Sequence, residues 1–332
     1  MPLGLGMIGC GKMARELATA LREAAPEARL VAGYDSYAPA REDFCAHFAV
    51  QGAATMEDLL ARPGLGAVLV ASPNHLHKDH TLAAAAADKH VFCEKPMALS
   101  VADCDAMLAA CRGRRLKLMV GHSRRLAPEM CKLRDLVASG ELGRPLHAQA
   151  GYWFGGFQPR ASGAWHLTRA QCGGLLYQMG IHYLDVFHAL FGPARRVQYA
   201  GSRLGQQVLD FDDLCTALLE YDAGVTAALS VSSLAPVGSQ EISVLFTRGY
   251  ARWASDTGAL EFGPDFESRT ALGPNDLRAP DGVQVELASF VRWILHDETP
   301  VLTGAEGRAA VAVAEAADRA KETGAAVEIG GK

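Results

Sequence analysis

Leu3-Gly4-Leu5-Gly6-Met7-Ile8-Gly9-Cys10-Gly11-Lys12-Met13-Ala14 is the stretch on which the fold turns. Leu3–Ile8 is a short apolar run, the pattern of a buried parallel strand. Met13, Leu17 and Leu21, with Ala14 and Ala18, then recur at helical spacing. Between strand and helix stands a G-x-G-x-x-A. That pattern is weak alone and informative in this context. Gly9 allows the tight turn, Gly11 lets backbone approach a pyrophosphate, and Ala14 lets the helix pack closely on the sheet. The helix N-terminus offers N–H groups and a positive dipole end to phosphates. Gly9, Cys10, Gly11, Lys12 and Met13 are therefore candidate dinucleotide ligands. A glycine turn without a ligand, or one for a flavin or nucleoside, is the bland alternative.

The same rhythm continues outward. Leu30–Tyr34, Ala67–Ala71, His90–Cys93 and Lys117–Gly121 read as strands. Residues 41–48, Asn74–Asp88 and Ser100–Cys111 read as helices, the last with Ser100 and Asp103 as a capping box. Regular alternation implies a doubly wound parallel sheet of the Rossmann type. Asp35 ends the second strand, 24 residues past Gly11. A carboxylate there bonds adenosine ribose hydroxyls and repels a 2′-phosphate, so the expected cofactor is NAD. Beyond residue 123 the texture changes. After a helix at Pro128–Ser139 come Leu146–Phe154, Val197–Arg203, Cys215–Tyr221, Val225–Ser233 and Glu241–Phe246, all strand-like. One long helix, Gly174–Phe191, interrupts them, and Glu286–Leu295 and Gly304–Glu322 close the chain. The expected organisation is a Rossmann domain over 1–122 and an α+β domain with a large mixed sheet over 123–332, making an α/β protein of two domains.

The chain has 332 residues, 49% hydrophobic, with a formal net charge of −5. There is no Lys/Arg run, which argues against nucleic acid. No apolar stretch is long enough to span a bilayer and no signal-peptide pattern opens the chain. The 8 cysteines include no CxxC pair, as expected of reduced thiols in a cytoplasmic protein. His75, His77 and His80, or His182, Asp185 and His188, invite a metal, but neither group completes a ligand motif, so no metal is expected.

Four further segments act together: Ser72-Pro73-Asn74-His75-Leu76-His77, Glu94-Lys95-Pro96, Gly121-His122-Ser123-Arg124-Arg125-Leu126-Ala127-Pro128, and the run from Gly173-Gly174 through Gln178 and Gly180-Ile181-His182 to Asp185. With the weaker Gly140–Gly143, they resemble the glucose-fructose oxidoreductase / inositol dehydrogenase / rhizopine-catabolism (Gfo/Idh/MocA) family over essentially the whole chain. The resemblance implies an open-faced second sheet that forms a homodimer or homotetramer, and a substrate held between the domains. It implies Lys95 as the group bridging substrate hydroxyl and nicotinamide ribose, and His182 as the base. Burial beside a cofactor lowers a lysine's pKa, which suits proton transfer, and imidazole titrates near neutrality. Pro96 leaves a cis Lys95–Pro96 bond open. Ser72, Asn74, His77 and Glu94 are expected beside the cofactor, with helix N-capping the plain reading of Asn74. His122, Arg124, Tyr152, Trp165 and His166 are expected to face substrate. Arg124 and Arg125 suit an acidic substrate or surface carboxylates alike. Relatives commonly carry Asp four residues before the histidine, where this chain has Gln178. An amide orients a hydroxyl or carbonyl but cannot ionise.

These readings imply an NAD-dependent oxidoreductase acting at a ring carbon of a polyhydroxylated small molecule: a sugar, inositol, sugar acid or sugar nucleotide. Two alternatives keep the cofactor, transient redox during glycoside elimination and oxidation of a dihydrodiol or dihydroxy-aromatic acid. A third, of another class, is an NAD-sensing regulator without turnover.

Overall fold

The computed structural model describes residues 2–158, 163–277 and 279–330. The chain builds two compact units. In the first, β1 (Leu3–Ile8), β2 (Ala28–Tyr34), β3 (Gln51–Gly52), β4 (Leu65–Val70), β5 (His90–Glu94) and β6 (Leu118–Gly121) form one sheet ordered β3-β2-β1-β4-β5-β6. Every pairing is parallel. Helices α1 (Lys12–Ala24), α2 (Ala38–Phe48), α3 (Met56–Leu60), α4 (His77–Ala86) and α5 (Val101–Gly113) make the crossovers. Leu5, Met7, Val68, Leu69, Val91, Phe92 and Met119 are fully buried. Each such large side chain contributes about 1.5–3 kcal/mol through burial. The strand order reverses between β1 and β4, which opens a crevice beyond the strands' carboxyl ends. The two-residue β3 and five-residue α3 are absent from the sequence reading because they are too short for periodicity. The expected helix Asn74–Asp88 divides into a 3₁₀ turn, Asn74–Leu76, and α4.

In the second unit, α6 (Pro128–Ser139) precedes β7 (Pro145–Trp153). After α7 (Arg169–Cys172), a single π turn at Leu176–Gly180 leads into α8 (Ile181–Phe191). Strands β8 (Arg196–Ser202), β9 (Leu214–Glu220), β10 (Thr226–Ser232), β11 (Ser239–Phe246), β12 (Gly249–Ala254), β13 (Leu260–Gly263), β14 (Thr270–Leu272) and β15 (Val327–Glu328) complete a sheet ordered β14-β13-β12-β11-β7-β10-β9-β8-β15. Only the β7–β10 pairing is parallel among the pairings described, so the sheet is mixed. Burial alternates along β9 and β10, with one face packed and the other open.

The chain then returns to the first unit. Pro280–Arg308, which the sequence reading assigns to the second domain, packs there with α9 (Gly282–His296) and the first turns of α10 (Gly304–Thr323). Phe290 lies edge-on to Phe92, centroids 5.8 Å apart. Trp165 also belongs to the first unit, whereas His166 belongs to the second. No helix among the described residues is long and apolar enough to cross a membrane.

Candidate active site

The first unit supplies a dinucleotide cradle. Gly9 has φ +87°, and a Cβ there would come within 2.7 Å of the Ala71 carbonyl and the Ser72 nitrogen. Only glycine fits. Gly11 begins α1 with no side-chain cap, and α1 has no acidic residue in its first turn. A Cβ on Gly11 would meet nothing within 4 Å. Open space above uncapped N–H groups matches what an anionic pyrophosphate requires. Lys12 is exposed and pairs with Glu16 at 3.7 Å, while Met13 is partly buried.

Asp35 anchors the far side. Its Oδ2 accepts from the Cys10 backbone N–H and its Oδ1 from that of Tyr37, both at 2.8 Å. A carboxylate has about four lone-pair sites, so ribose hydroxyls can still bond it. Arg41, missed in the sequence, donates to the Asp35 carbonyl oxygen at 3.2 Å.

Glu94 and Lys95 stand at the carboxyl end of β5, and Lys95–Pro96 is cis. The Lys95 N–H donates to Glu94 Oε2 at 3.2 Å. Burial holds the Lys95 amine below its usual value, against the pull of Glu94. Burial pushes the Glu94 carboxyl up to about 7, against Lys95. Burial thus shifts each group towards its neutral form. Asn74 is buried in the 3₁₀ turn. His77 opens α4. It is 1% exposed, and its Nδ1 and Nε2 lie 2.8 Å from the Pro96 and Ser72 carbonyl oxygens. His122, expected to face substrate, is also 1% exposed at the end of β6.

The second unit holds the remaining candidates except Trp165, which belongs to the first. Gln178 lies within the widened turn Leu176–Gly180, and His182 follows it in the first turn of α8. Turns of this kind recur at functional sites. Gln178 Nε2 donates to the His166 carbonyl oxygen at 2.9 Å. His166 is buried, with Nε2 2.6 Å from the Gln158 carbonyl oxygen. His182, partly exposed, neighbours Tyr152 with ring centroids 6.4 Å apart. Burial raises the Tyr152 hydroxyl's pKa, opposed by Arg124. Arg124 bonds Glu129 at 2.9 Å and lies over Trp253 at 4.5 Å, so a carboxylate already balances its charge. Arg125 forks onto the buried Asp185, Nε–Oδ2 2.7 Å and Nη2–Oδ1 2.5 Å. That pair explains Asp185 as an anchor. Tyr183 was missed, although it sits beside His182 in the motif and meets Arg124 at 3.4 Å.

Residues 3–122 match the oxidoreductase family with an NAD-binding Rossmann fold, and residues 130–252 match the GFO/IDH/MocA C-terminal domain. The chain belongs to the GFO/IDH/MocA family. As a member it is an NAD-dependent oxidoreductase. It is 28% identical to the 1,5-anhydro-D-fructose reductase of Ensifer adhaerens over 83% of each chain. It is 32% identical to the 2,7-anhydro-N-acetylneuraminate hydratase of Escherichia coli over 70% of this chain and 62% of that one. The aldose-aldose oxidoreductase of Caulobacter crescentus superposes with a TM-score of 0.88 at 26% identity, covering 99% of this chain and 100% of that one.

Proposed function

We propose that the protein transfers hydride between NAD, in preference to NADP, and a ring carbon of a polyhydroxylated substrate: a sugar, inositol, sugar acid or sugar nucleotide. Lys95 carries this reading, as an amine of lowered pKa at the carboxyl end of a Rossmann strand. Gly9, Cys10, Gly11, Lys12, Met13 and Asp35 hold the dinucleotide, with Ser72, Asn74, Glu94 and Lys95 towards its nicotinamide end. Bound NAD supplies the hydride acceptor or donor. Lys95 Nζ holds the substrate oxygen and stabilises its developing charge. His182 takes up or returns the hydroxyl proton. Gln178 orients the substrate, with Arg124, Tyr152 and Trp165 as further contacts. The names of the reductase and the aldose-aldose oxidoreductase, both sugar enzymes, support this class.

A second reading keeps the same residues. The hydratase relative favours transient redox, in which substrate is oxidised and re-reduced on one NAD without net NADH. We further infer a cytoplasmic homodimer or homotetramer joined through the open face of the second sheet. Eight free cysteines and the small or polar side chains of Ala200, Thr216, Ala228 and Ser230 on β8–β10 support this. Calorimetric titration with NAD⁺ and NADP⁺, followed by a polyol and sugar-nucleotide screen, tests the whole. Tight NAD⁺ binding with weak NADP⁺ binding and net NADH are expected. Preference for NADP⁺ would overturn the role of Asp35, and binding of neither would overturn the enzyme reading. Loss of turnover in Lys95→Ala with NAD⁺ affinity kept would dismiss an NAD-sensing regulator.

A further inference from the structure

One side chain joins two loops of the first unit. His77 opens α4 and is 1% exposed. Its Nδ1 is 2.8 Å from the carbonyl oxygen of Pro96, in the turn after β5. Its Nε2 is 2.8 Å from the carbonyl oxygen of Ser72, in the loop after β4. Carbonyl oxygens only accept, and the neutral ring carries one proton, so it donates to one of these oxygens at a time and to both only as imidazolium. The Ser72 loop is gripped again through its hydroxyl, 2.9 Å from His80 Nδ1. It also forms the wall against which Gly9 is packed, since a Cβ on Gly9 would lie 2.7 Å from the Ser72 nitrogen. Pro96 follows Lys95 directly. A single imidazole therefore stands between the backbone of the Lys95 turn and the backbone of the dinucleotide turn, within hydrogen-bond distance of both.

We propose that His77 is a positioning residue that fixes the Lys95 amine relative to the dinucleotide cradle by donating from Nδ1 to the Pro96 carbonyl while its other edge packs against the Ser72 loop. The proposal rests on the reading of Lys95 as the group that acts on the substrate oxygen. An ångström of misplacement at such a group costs about a hundredfold in rate, so a tie at the root of a long, rotatable side chain matters. A histidine that merely filled the core would be replaced without consequence by an apolar side chain of similar size.

Three substitutions separate the two contacts. Asparagine places its amide nitrogen where Nδ1 stands, and glutamine where Nε2 stands. His77→Asn thus keeps a donor to Pro96, His77→Gln offers one to Ser72 alone, and His77→Leu offers neither. The readout is the pH dependence of Lys95 acylation by trace acetic anhydride, followed by mass spectrometry with and without NAD⁺, beside the Kd for NAD⁺ and the thermal midpoint. His77→Gln and His77→Leu are expected to raise the apparent pKa of Lys95 by about half a unit or more, as the amine leaves its buried position. His77→Asn is expected to keep it. A folded His77→Leu whose Lys95 titrates as in the wild type, with the wild-type Kd, would overturn the proposal. Should His77→Leu fail to fold, equal Lys95 titration in the Asn and Gln variants would overturn it instead. No reading here depends on turnover, so a wild-type protein that oxidises none of the screened polyols would defeat the enzyme reading alone.

Discussion

Gly9 and Gly11 lie two positions apart and are expected to respond oppositely to alanine. Gly9→Ala forces a Cβ into the Ala71 carbonyl at φ +87°. A loss of about 2–4 kcal/mol in chemical denaturation is expected from strain and overpacking together. Gly11→Ala meets nothing within 4 Å. Its stability should stay within about 0.5 kcal/mol, while NAD⁺ affinity falls at least about tenfold, or 1.4 kcal/mol, because the methyl fills the space of the phosphates. Wild-type affinity in Gly11→Ala would remove the pyrophosphate from the N-terminus of α1. His77 has a pH signature of its own. Burial holds its pKa at about 4. Between there and its unfolded value near 6.5 only the unfolded chain binds the proton, so stability falls as pH drops through that window, by up to about 3 kcal/mol. Glu94, raised to about 7, acts with the opposite sign, since its folded form binds the proton first. The stability of wild type minus that of His77→Gln, measured between pH 7 and 4, isolates the histidine and should shrink on acidification. Gly9, Gly11 and Asp35 were legible in the sequence because their positions are set within one strand–helix–strand unit, β1-α1-β2. The role of His77 was not, because its partners are backbone oxygens 5 and 19 residues away.

Elements with a strong period were read almost to the residue; short ones and irregular turns were not. α6 runs over Pro128–Ser139 as its proline and apolar spacing predict. The short α3 escaped that reading, although Thr55 and Asp58 cap its start with reciprocal bonds at 3.1 and 3.2 Å. The helix predicted over Gly174–Phe191 begins late and opens into a π turn, with Gly173 and Gly174 preceding it at φ +84° and +93°. What holds α8 to the Ser123–Leu126 turn is the buried pair Arg125–Asp185. Asp185→Ala leaves an uncompensated buried guanidinium and should cost about 3–5 kcal/mol in urea unfolding. The double variant Arg125→Met with Asp185→Leu should recover most of that loss. A single variant within 1 kcal/mol of wild type would show the pair to be dispensable.

At the scale of the whole molecule, the first unit is discontinuous in sequence. Phe290 of α9 packs on Phe92 of β5, and Gly307 of α10 lies so close to Val120 that a Cβ would fall at 2.7 Å. A fragment ending at Ser123 therefore lacks part of its own core. It is expected to lack a cooperative thermal transition, which fusion to residues 280–308 restores. Cooperative unfolding of the shorter fragment would contradict this account. Phe290→Ala in the full chain should cost about 3–5 kcal/mol. The amino-acid sequence by itself determined the βα alternation, the glycine turn, the place of Asp35 and of Lys95 at a strand's end, and the change to a mixed sheet. These follow from periodicity and from steric demands that act within a few residues. Only the tertiary structure decided that residues 280–308 return to the first unit, that Arg125 meets Asp185, and that His77 faces two carbonyls. Each of these joins positions far apart in the chain or oriented by neighbouring backbone, and no local propensity encodes which groups the completed fold brings within 3 Å.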